Sequence, residues 1–408
     1  MDTPPPTATL EPPTRELPAS APTPLAPRLA EGIEMLGEYE DSGFKETLYL
    51  ARRADGQTLQ LTNLLYSVAS SADGRRDFAA MAQVVSDEID RTVSPDNVRF
   101  LVEKKLRPLG VLAAADGSSP ELERADPLLA LKFRTAVVPE GFTRALTTTF
   151  RPLFWLPVLG LMVAGFLALD AWLFLHHGIA QGLRHAIYQP LLLLGMVGGI
   201  VIASAFHEIG HATACRYGGA RPGVMGVGIY VVWPAFYTDV TDAYRLGRGG
   251  RLRTDLGGIY FNAIFSLAMG GLFALTGFEP LLLLVVIQNF AMLQQLLPFL
   301  RLDGYYILSD LTGVPDMFSR IKPVFRSLRP GRKADARVTE LKPWVRVVVT
   351  AYVLGVVPLL ALSLLMALLH APRLFATAYD SLGARYDELA PRSTAGRRSA
   401  SPRHCCSC

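Results

Sequence analysis

The chain has 408 residues, half of them hydrophobic and only 19% charged, with 40 basic against 36 acidic side chains and a mean hydropathy of +0.28. Low charge with positive hydropathy excludes a wholly disordered chain and a purely soluble one. A formal net charge of +4 is too small and too evenly spread for nucleic acid, which requires a concentrated basic face. Three of the four cysteines lie in the last four residues and Cys215 stands alone, so no disulfide framework is expected.

Residues 1–27 hold nine prolines and few large apolar side chains, which predicts a disordered arm. The arm lacks the basic start, apolar centre and small-residue cleavage site of a signal peptide, so the amino end is expected on the cytoplasmic side. Residues 28–144 have the composition of a small soluble domain. Thr47 to Arg53 and Thr58 to Leu61 read as strands joined at Ala54-Asp55-Gly56-Gln57, an Asp-Gly turn. Thr62 is placed to cap a helix bearing Leu64, Leu65 and Val68, a second helix carries Phe78, Met81, Val84, Val85 and Ile89, and Ser94-Pro95 opens a third. A hairpin with three helices predicts a winged-helix-like α+β module.

Residues 145–370 contain five long apolar runs: Pro152 to Leu175, Ala186 to Phe206, Leu256 to Phe278, Pro280 to Leu300 and Val347 to Leu369. Each is long enough to cross a hydrocarbon core of about 30 Å at 1.5 Å per residue. The predicted fold class is therefore mainly α: a polytopic membrane helix bundle of about five transmembrane helices behind the small amino-terminal domain. Six basic residues between Arg216 and Asp255 and ten between Arg301 and Arg346 put the amino-terminal module and both basic loops in the cytoplasm of a multi-pass bacterial membrane protein. Five spans then leave the tail, 371–408, outside despite its six arginines. That tail is expected to be disordered, with reactive thiols at Cys405, Cys406 and Cys408.

At the end of the second run stands Phe206-His207-Glu208-Ile209-Gly210-His211. On a helix His207 and His211 share one face and can offer two imidazole nitrogens to one Zn2+, while Glu208 can reach a metal-bound water. Ionisable groups at membrane depth are costly unless they pair or bind something. A hydrolytic zinc site needs a third protein ligand. Asp303, in Phe299-Leu300-Arg301-Leu302-Asp303-Gly304-Tyr305-Tyr306, follows an apolar span and is the leading candidate, with Asp239 and Asp242 as rivals.

Together these residues resemble the site-2 protease (M50) family of intramembrane zinc metallopeptidases, in which a HExxH helix and a distant LDG motif assemble the metal site. Within that family they look like the bacterial peptide zinc metalloprotease branch, and the likeness runs from about Pro190 to Val314, including Ala235 to Val240. It implies that His207, His211 and Asp303 bind Zn2+ and that Glu208 is the catalytic base. Gly257-Gly258-Ile259-Tyr260-Phe261-Asn262 matches a glycine-rich turn that precedes the third core span of the family and ends in Asn, and Asn262 is a candidate to steady the developing oxyanion. Where the branch has asparagine before the proline of the second motif, this chain has Gln295.

The stretch Gly223 to Tyr237 is too short for a span and reads as a hairpin or re-entrant element, a candidate edge for an extended substrate. The amino-terminal module is similar to PqqD-type domains, which implies a leader peptide bound as an added strand. The leading expectation is an intramembrane endopeptidase acting on a peptide or membrane-protein substrate in the lipid bilayer. The alternative is a non-catalytic, zinc-containing peptide-binding membrane component of a maturation or export complex, and a transporter is a third class. Glu208→Gln separates the first two, because it keeps the metal and removes only hydrolysis.

Overall fold

The computed structural model describes residues 26–54, 57–114, 118, 131–178, 189–230, 233–329, 331 and 334–389. The expected proline-rich arm and the terminal cysteines lie almost wholly outside them. The chain divides into two compact units, one ending at Thr350 and one starting at Ala351.

The first unit opens with a three-stranded antiparallel sheet in the order β1 (Glu34–Glu38), β2 (Leu48–Arg52), β3 (Thr58–Thr62). Strands β2 and β3 form the expected hairpin, with Tyr49 opposite Leu61 and Leu50 opposite Gln60. Strand β1 has no counterpart in the sequence reading, because Glu34-Met35-Leu36-Gly37-Glu38 is acidic at both ends and bulged near its glycine. The three helices start where their caps predict. Thr62 accepts from the Leu65 amide at the head of α1 (Asn63–Ser71), Asp77 accepts from Ala80 at α2 (Phe78–Ile89), and Ser94 accepts from Asn97 at α3 (Pro95–Leu101), each satisfying an amide with no partner inside the helix. Leu61, Val68, Met81, Val85, Val98 and Leu106 are fully buried between sheet and helices, as the hydrophobic face of each element requires.

Strand β4 (Lys132–Val138) falls within the stretch that sequence assigns to the amino-terminal module, 28–144, but it pairs elsewhere. It runs antiparallel to β5 (Met225–Tyr230), which pairs in turn with β6 (Trp233–Thr238). The expected hairpin at 223–237 is thus the inner and outer strands of a second three-stranded sheet. Helix α4 (Glu140–Phe150) then leads into the apolar helices.

Among the described residues, four helical segments are long and apolar enough to cross a membrane: Leu156–His177, Leu191–Tyr217, Arg248–Thr276 and Pro343–Arg373. The first is α5 (Leu156–Trp172) with a final wide turn to His177, the second belongs to α6 (Pro190–Tyr217), and the third is α7 (Arg248–Thr276). The fifth expected span is shorter, as α8 (Pro280–Leu296) has 17 residues and measures about 25 Å at 1.5 Å per residue. It stops because Leu297 is extended ahead of Pro298, the conformation that a following proline imposes. The chain re-enters a helix at α9 (Asp303–Thr312) and passes through the short α10 (Ile321–Ser327) and α11 (Ala336–Thr339) to α12 (Pro343–Leu389). Residues 371–389, expected as disordered tail, are therefore helical. Leu161 and Leu167 on α5 are 66% and 60% exposed, an outward apolar surface that water would penalise and lipid would accept.

Helices α6 and α7 touch backbone to backbone. A Cβ on Gly210 would sit 2.3 Å from the Gly257 carbonyl oxygen, and one on Gly257 would sit 2.6 Å from that of Gly210. Small residues permit such approach between apolar helices. The stretch Gly257 to Asn262, expected as a turn before a span, instead lies inside α7, which begins at Arg248.

The first unit also holds its amino-terminal module against the basic loops. Asp242, 5% exposed, accepts from Arg52 at 3.0 Å and from the Arg221 amide at 2.8 Å and pairs with Arg245 at 2.8 Å. Arg245 also reaches Glu34. Gly43 donates to the Gly313 carbonyl at 3.1 Å, and Lys342 donates to that of Ser42 at 2.7 Å.

Candidate metal centre

His207 and His211 lie one turn apart on α6 and direct both Nε2 atoms to the same point, 3.0 Å from each other. Asp303 is the first residue of α9, where the exposed amides of the helix start favour a carboxylate. Its two oxygens stand 3.2 Å from His207 Nε2 and 3.5 Å from His211 Nε2. The close turn between α8 and α9 requires Gly304, since a Cβ there would sit 2.1 Å from the Leu296 carbonyl oxygen.

Among the described residues His207, His211 and Asp303 are the group of three whose ligating atoms all fall within 4.8 Å of one another. Three donors bound tetrahedrally to zinc at 2.0–2.1 Å lie about 3.3 Å apart; the two Nε2 atoms stand 3.0 Å apart, one Asp303 oxygen is 3.2 Å from His207 Nε2 and the other 3.5 Å from His211 Nε2, which brings the three side chains to that scale. Asp303 Oδ2 is buried with only the His207 ring close to it, and a buried carboxylate costs free energy unless positive charge compensates it. Burial by itself would raise the carboxyl pKa, yet His211 and then His207 outweigh it and hold Asp303 below the ordinary carboxylate range. The donor set therefore fits Zn2+ in chemistry and in spacing.

Residues behind the candidate ligands hold the rings in place. His211 Nδ1 lies 2.8 Å from the Thr254 carbonyl, which can only accept, so that nitrogen carries the proton and Nε2 is left with its lone pair. The His207 Nδ1 atom faces the Asn262 side-chain amide at 3.1 Å, and Asn262 contacts Gln295 at 3.2 Å. Gly258 supplies the space: a Cβ there would lie 2.4 Å from His207 Nε2 and 2.5 Å from His211 Nε2.

Glu208 is half-buried beside His207, and its carboxylate lies within electrostatic range of His211. Its backbone carbonyl accepts from the Thr238 hydroxyl at 3.1 Å, which ties β6 to the ligand helix. The rival aspartates are engaged elsewhere, Asp242 in the arginine network and Asp239 with the Thr241 amide and hydroxyl at 3.0 and 2.6 Å. Asn289 donates to Asp170 at 2.8 Å, so the charged residue of the first span is hydrogen-bonded to α8. Thr254 went unnoticed in the sequence, and Gly258 was read there as part of a turn and not as the residue that makes room for the two rings.

Among curated proteins the chain is similar to "Putative peptide zinc metalloprotease protein YydH" of Bacillus subtilis (strain 168), with 26% identity over 147 residues, 35% of this chain and 58% of that protein. The chain thus spans a little over half the length of this relative. No family model matches, and no solved structure does. The likeness supports a metalloprotease-like function in general terms, with zinc as the metal that its name carries.

Proposed function

We propose that the protein is an intramembrane zinc endopeptidase of the site-2 protease (M50) type that hydrolyses a peptide bond in a membrane-associated protein or peptide. The observation that carries this reading is the convergence of two Nε2 atoms from an apolar helix and the buried Asp303 carboxylate, with one ligating atom of each residue within 4.8 Å of the others. His207, His211 and Asp303 would hold the ion, which when bound acidifies water and polarises a carbonyl. Glu208, the half-buried carboxylate next to His207, takes a proton from the attacking water and returns it to the leaving amine. Thr254 keeps the His211 proton on Nδ1 throughout.

A helical substrate has its carbonyls hydrogen-bonded and must unwind before attack. Strand β6 is an edge of its sheet and is bonded to Glu208 through Thr238, so it offers unpaired backbone groups to an extended substrate beside the site. The amino-terminal module, with β3 at the edge of its own sheet, serves as a PqqD-like receiver for a leader peptide. The protein is a multi-pass component of a bacterial cell membrane with its amino terminus in the cytoplasm.

The test is metal analysis of detergent-purified wild type beside His207→Ala and Asp303→Ala, with cleavage of fluorescent transmembrane peptides by wild type and Glu208→Gln. Stoichiometric zinc in wild type, loss of zinc in both ligand variants, and retained zinc without cleavage in Glu208→Gln are expected. Unchanged zinc in His207→Ala would end the assignment.

A further inference from the structure

The candidate metal centre is assembled from two stretches far apart in the chain. His207 and His211 come from α6, whereas Asp303 opens α9 after a turn, residues 297–302, that belongs to no helix or strand. The hairpin of β5 and β6 is bonded to both. At one end the Thr238 hydroxyl donates to the Glu208 carbonyl at 3.1 Å, next to His207. At the other the Tyr230 hydroxyl accepts from the Arg301 amide at 3.0 Å, two residues before Asp303.

Tyr230 pairs with Trp233 and Met225 pairs with Thr238, so the two bonds leave opposite ends of the hairpin. From Trp233 to Thr238 the strand covers about 17 Å at 3.4 Å per residue. His207 Nε2 and the Asp303 carboxylate nevertheless stand 3.2 Å apart, so two distant anchors bear on one small centre. Arg301 is held by its side chain as well, since its guanidinium pairs with Asp316 at 2.8 Å and lies over the Tyr305 and Phe318 rings. The side chain ties the turn to α9 and the loop beyond it, and the main chain ties it to the hairpin.

We propose that the β5–β6 hairpin is a strap that fixes α6 against the turn before α9, with Tyr230 as a positioning residue that acts on Asp303 through the Arg301 amide. A peptide laid along the β6 edge then runs from one half of the centre to the other. This inference rests on the zinc reading above.

Tyr230→Phe and Thr238→Val each remove one hydroxyl and keep the shape of the side chain. Zinc affinity is measured on the full chain in detergent, by competition between Zn2+ and a chromophoric chelator, for wild type, both single variants and the double variant, with circular dichroism to establish folding. Each single variant is expected to bind zinc about tenfold more weakly, within the range that partners behind a metal ligand command. Side chains more than about 10 Å apart without a shared partner act additively, so independent bonds predict a loss of about 100-fold in the double variant. A strap is slack once either end is released, and the double variant is expected to stay near the tenfold loss. The visible absorption of bound Co2+, which reports the ligand set, is expected to change in Tyr230→Phe.

Unchanged affinity in both single variants, or an additive loss in the double variant, overturns the strap and leaves the zinc site standing. A wild-type Co2+ spectrum in Tyr230→Phe overturns the action of Tyr230 on Asp303. If Tyr230→Phe does not fold, Thr238→Val decides: unchanged affinity there overturns the strap. Wild type that binds no zinc overturns both readings.

Discussion

Gly258→Ala adds one methyl group to the floor of the metal centre. The new Cβ would lie 2.4 Å from His207 Cε1 and Nε2 and 2.5 Å from His211 Nε2, where ordinary contact begins at 3.4 Å. Each imidazole must therefore retreat by about 1 Å, several times the roughly 0.2 Å tolerance of a zinc–ligand bond. Overpacking of this kind costs about 1–3 kcal/mol, and most of it falls on the ligated geometry, because both rings can swing aside when no ion holds them. Zinc affinity should drop on the order of 100-fold, equivalent to about 3 kcal/mol. The helix itself should not suffer, since alanine is favoured over glycine in a helix interior by about 1 kcal/mol. Chelator competition measures the affinity and thermal unfolding of the metal-free protein measures the fold. Gly249→Ala and Gly271→Ala are controls on the same helix, because nothing lies within 4 Å of a Cβ at either position. Gly258→Ala binding zinc as tightly as these controls would refute the placement of α7 against the two rings.

Asp242→Ala leaves the Arg221 amide, Arg52 and Arg245 without their shared buried acceptor. Loss of one partner from such a network costs about 3–5 kcal/mol, and the amino-terminal module should become the first part of the protein cut in limited proteolysis. Gly304→Ala meets the Leu296 carbonyl oxygen at 2.1 Å and should displace Asp303, lowering zinc content while His207 and His211 remain; full zinc occupancy would contradict this. Asp310 is buried on α9 beside Arg251 and its pKa is pushed up to about 6, with burial as the main cause against the lowering effect of Arg251. The folded state therefore binds this proton more tightly than the unfolded chain. Stability that is fully present below pH 4 falls as pH rises towards 6, by up to about 3 kcal/mol, and Asp310→Asn should flatten that part of the pH–stability curve.

The features legible in the sequence were those with a short period or a local cap. The i, i+4 spacing of His207 and His211 is a property of any helix, so the ligand pair needed no tertiary information. Thr62 and Ser94 mark their helices because the capping bond closes over three residues. Asp303 required one further step, that a residue after an apolar run lies near the end of another, and its rivals are separated from it by the arginines around Asp242 and by the Thr241 contacts of Asp239. What stayed hidden depends on long-range pairing. Strand β4 meets β5 across some ninety residues through an alternation too irregular to declare its partner, as the register shifts around Thr135 and Ala136 show. Gly257 and Gly258 resemble turn residues in isolation, and their role inside a helix emerges only when Gly210 and the two imidazoles are placed opposite them. The orientation of Asn262 towards His207 is equally a product of that crossing.

The glycine contact between α6 and α7 also bears on how the protein answers its surroundings. With Gly210 and Gly257 meeting main chain to main chain, neither helix can slide along the other without collision. A change in bilayer thickness is then expected to be met by both leaning over together, or by α5, which has no buried side chain. If the protein acts as proposed, the two imidazoles travel with the leaning pair and α9 follows through its Asp310–Arg251 bridge to α7, so lipid composition should alter which depth of a substrate is presented for attack while leaving the affinity for the ion constant.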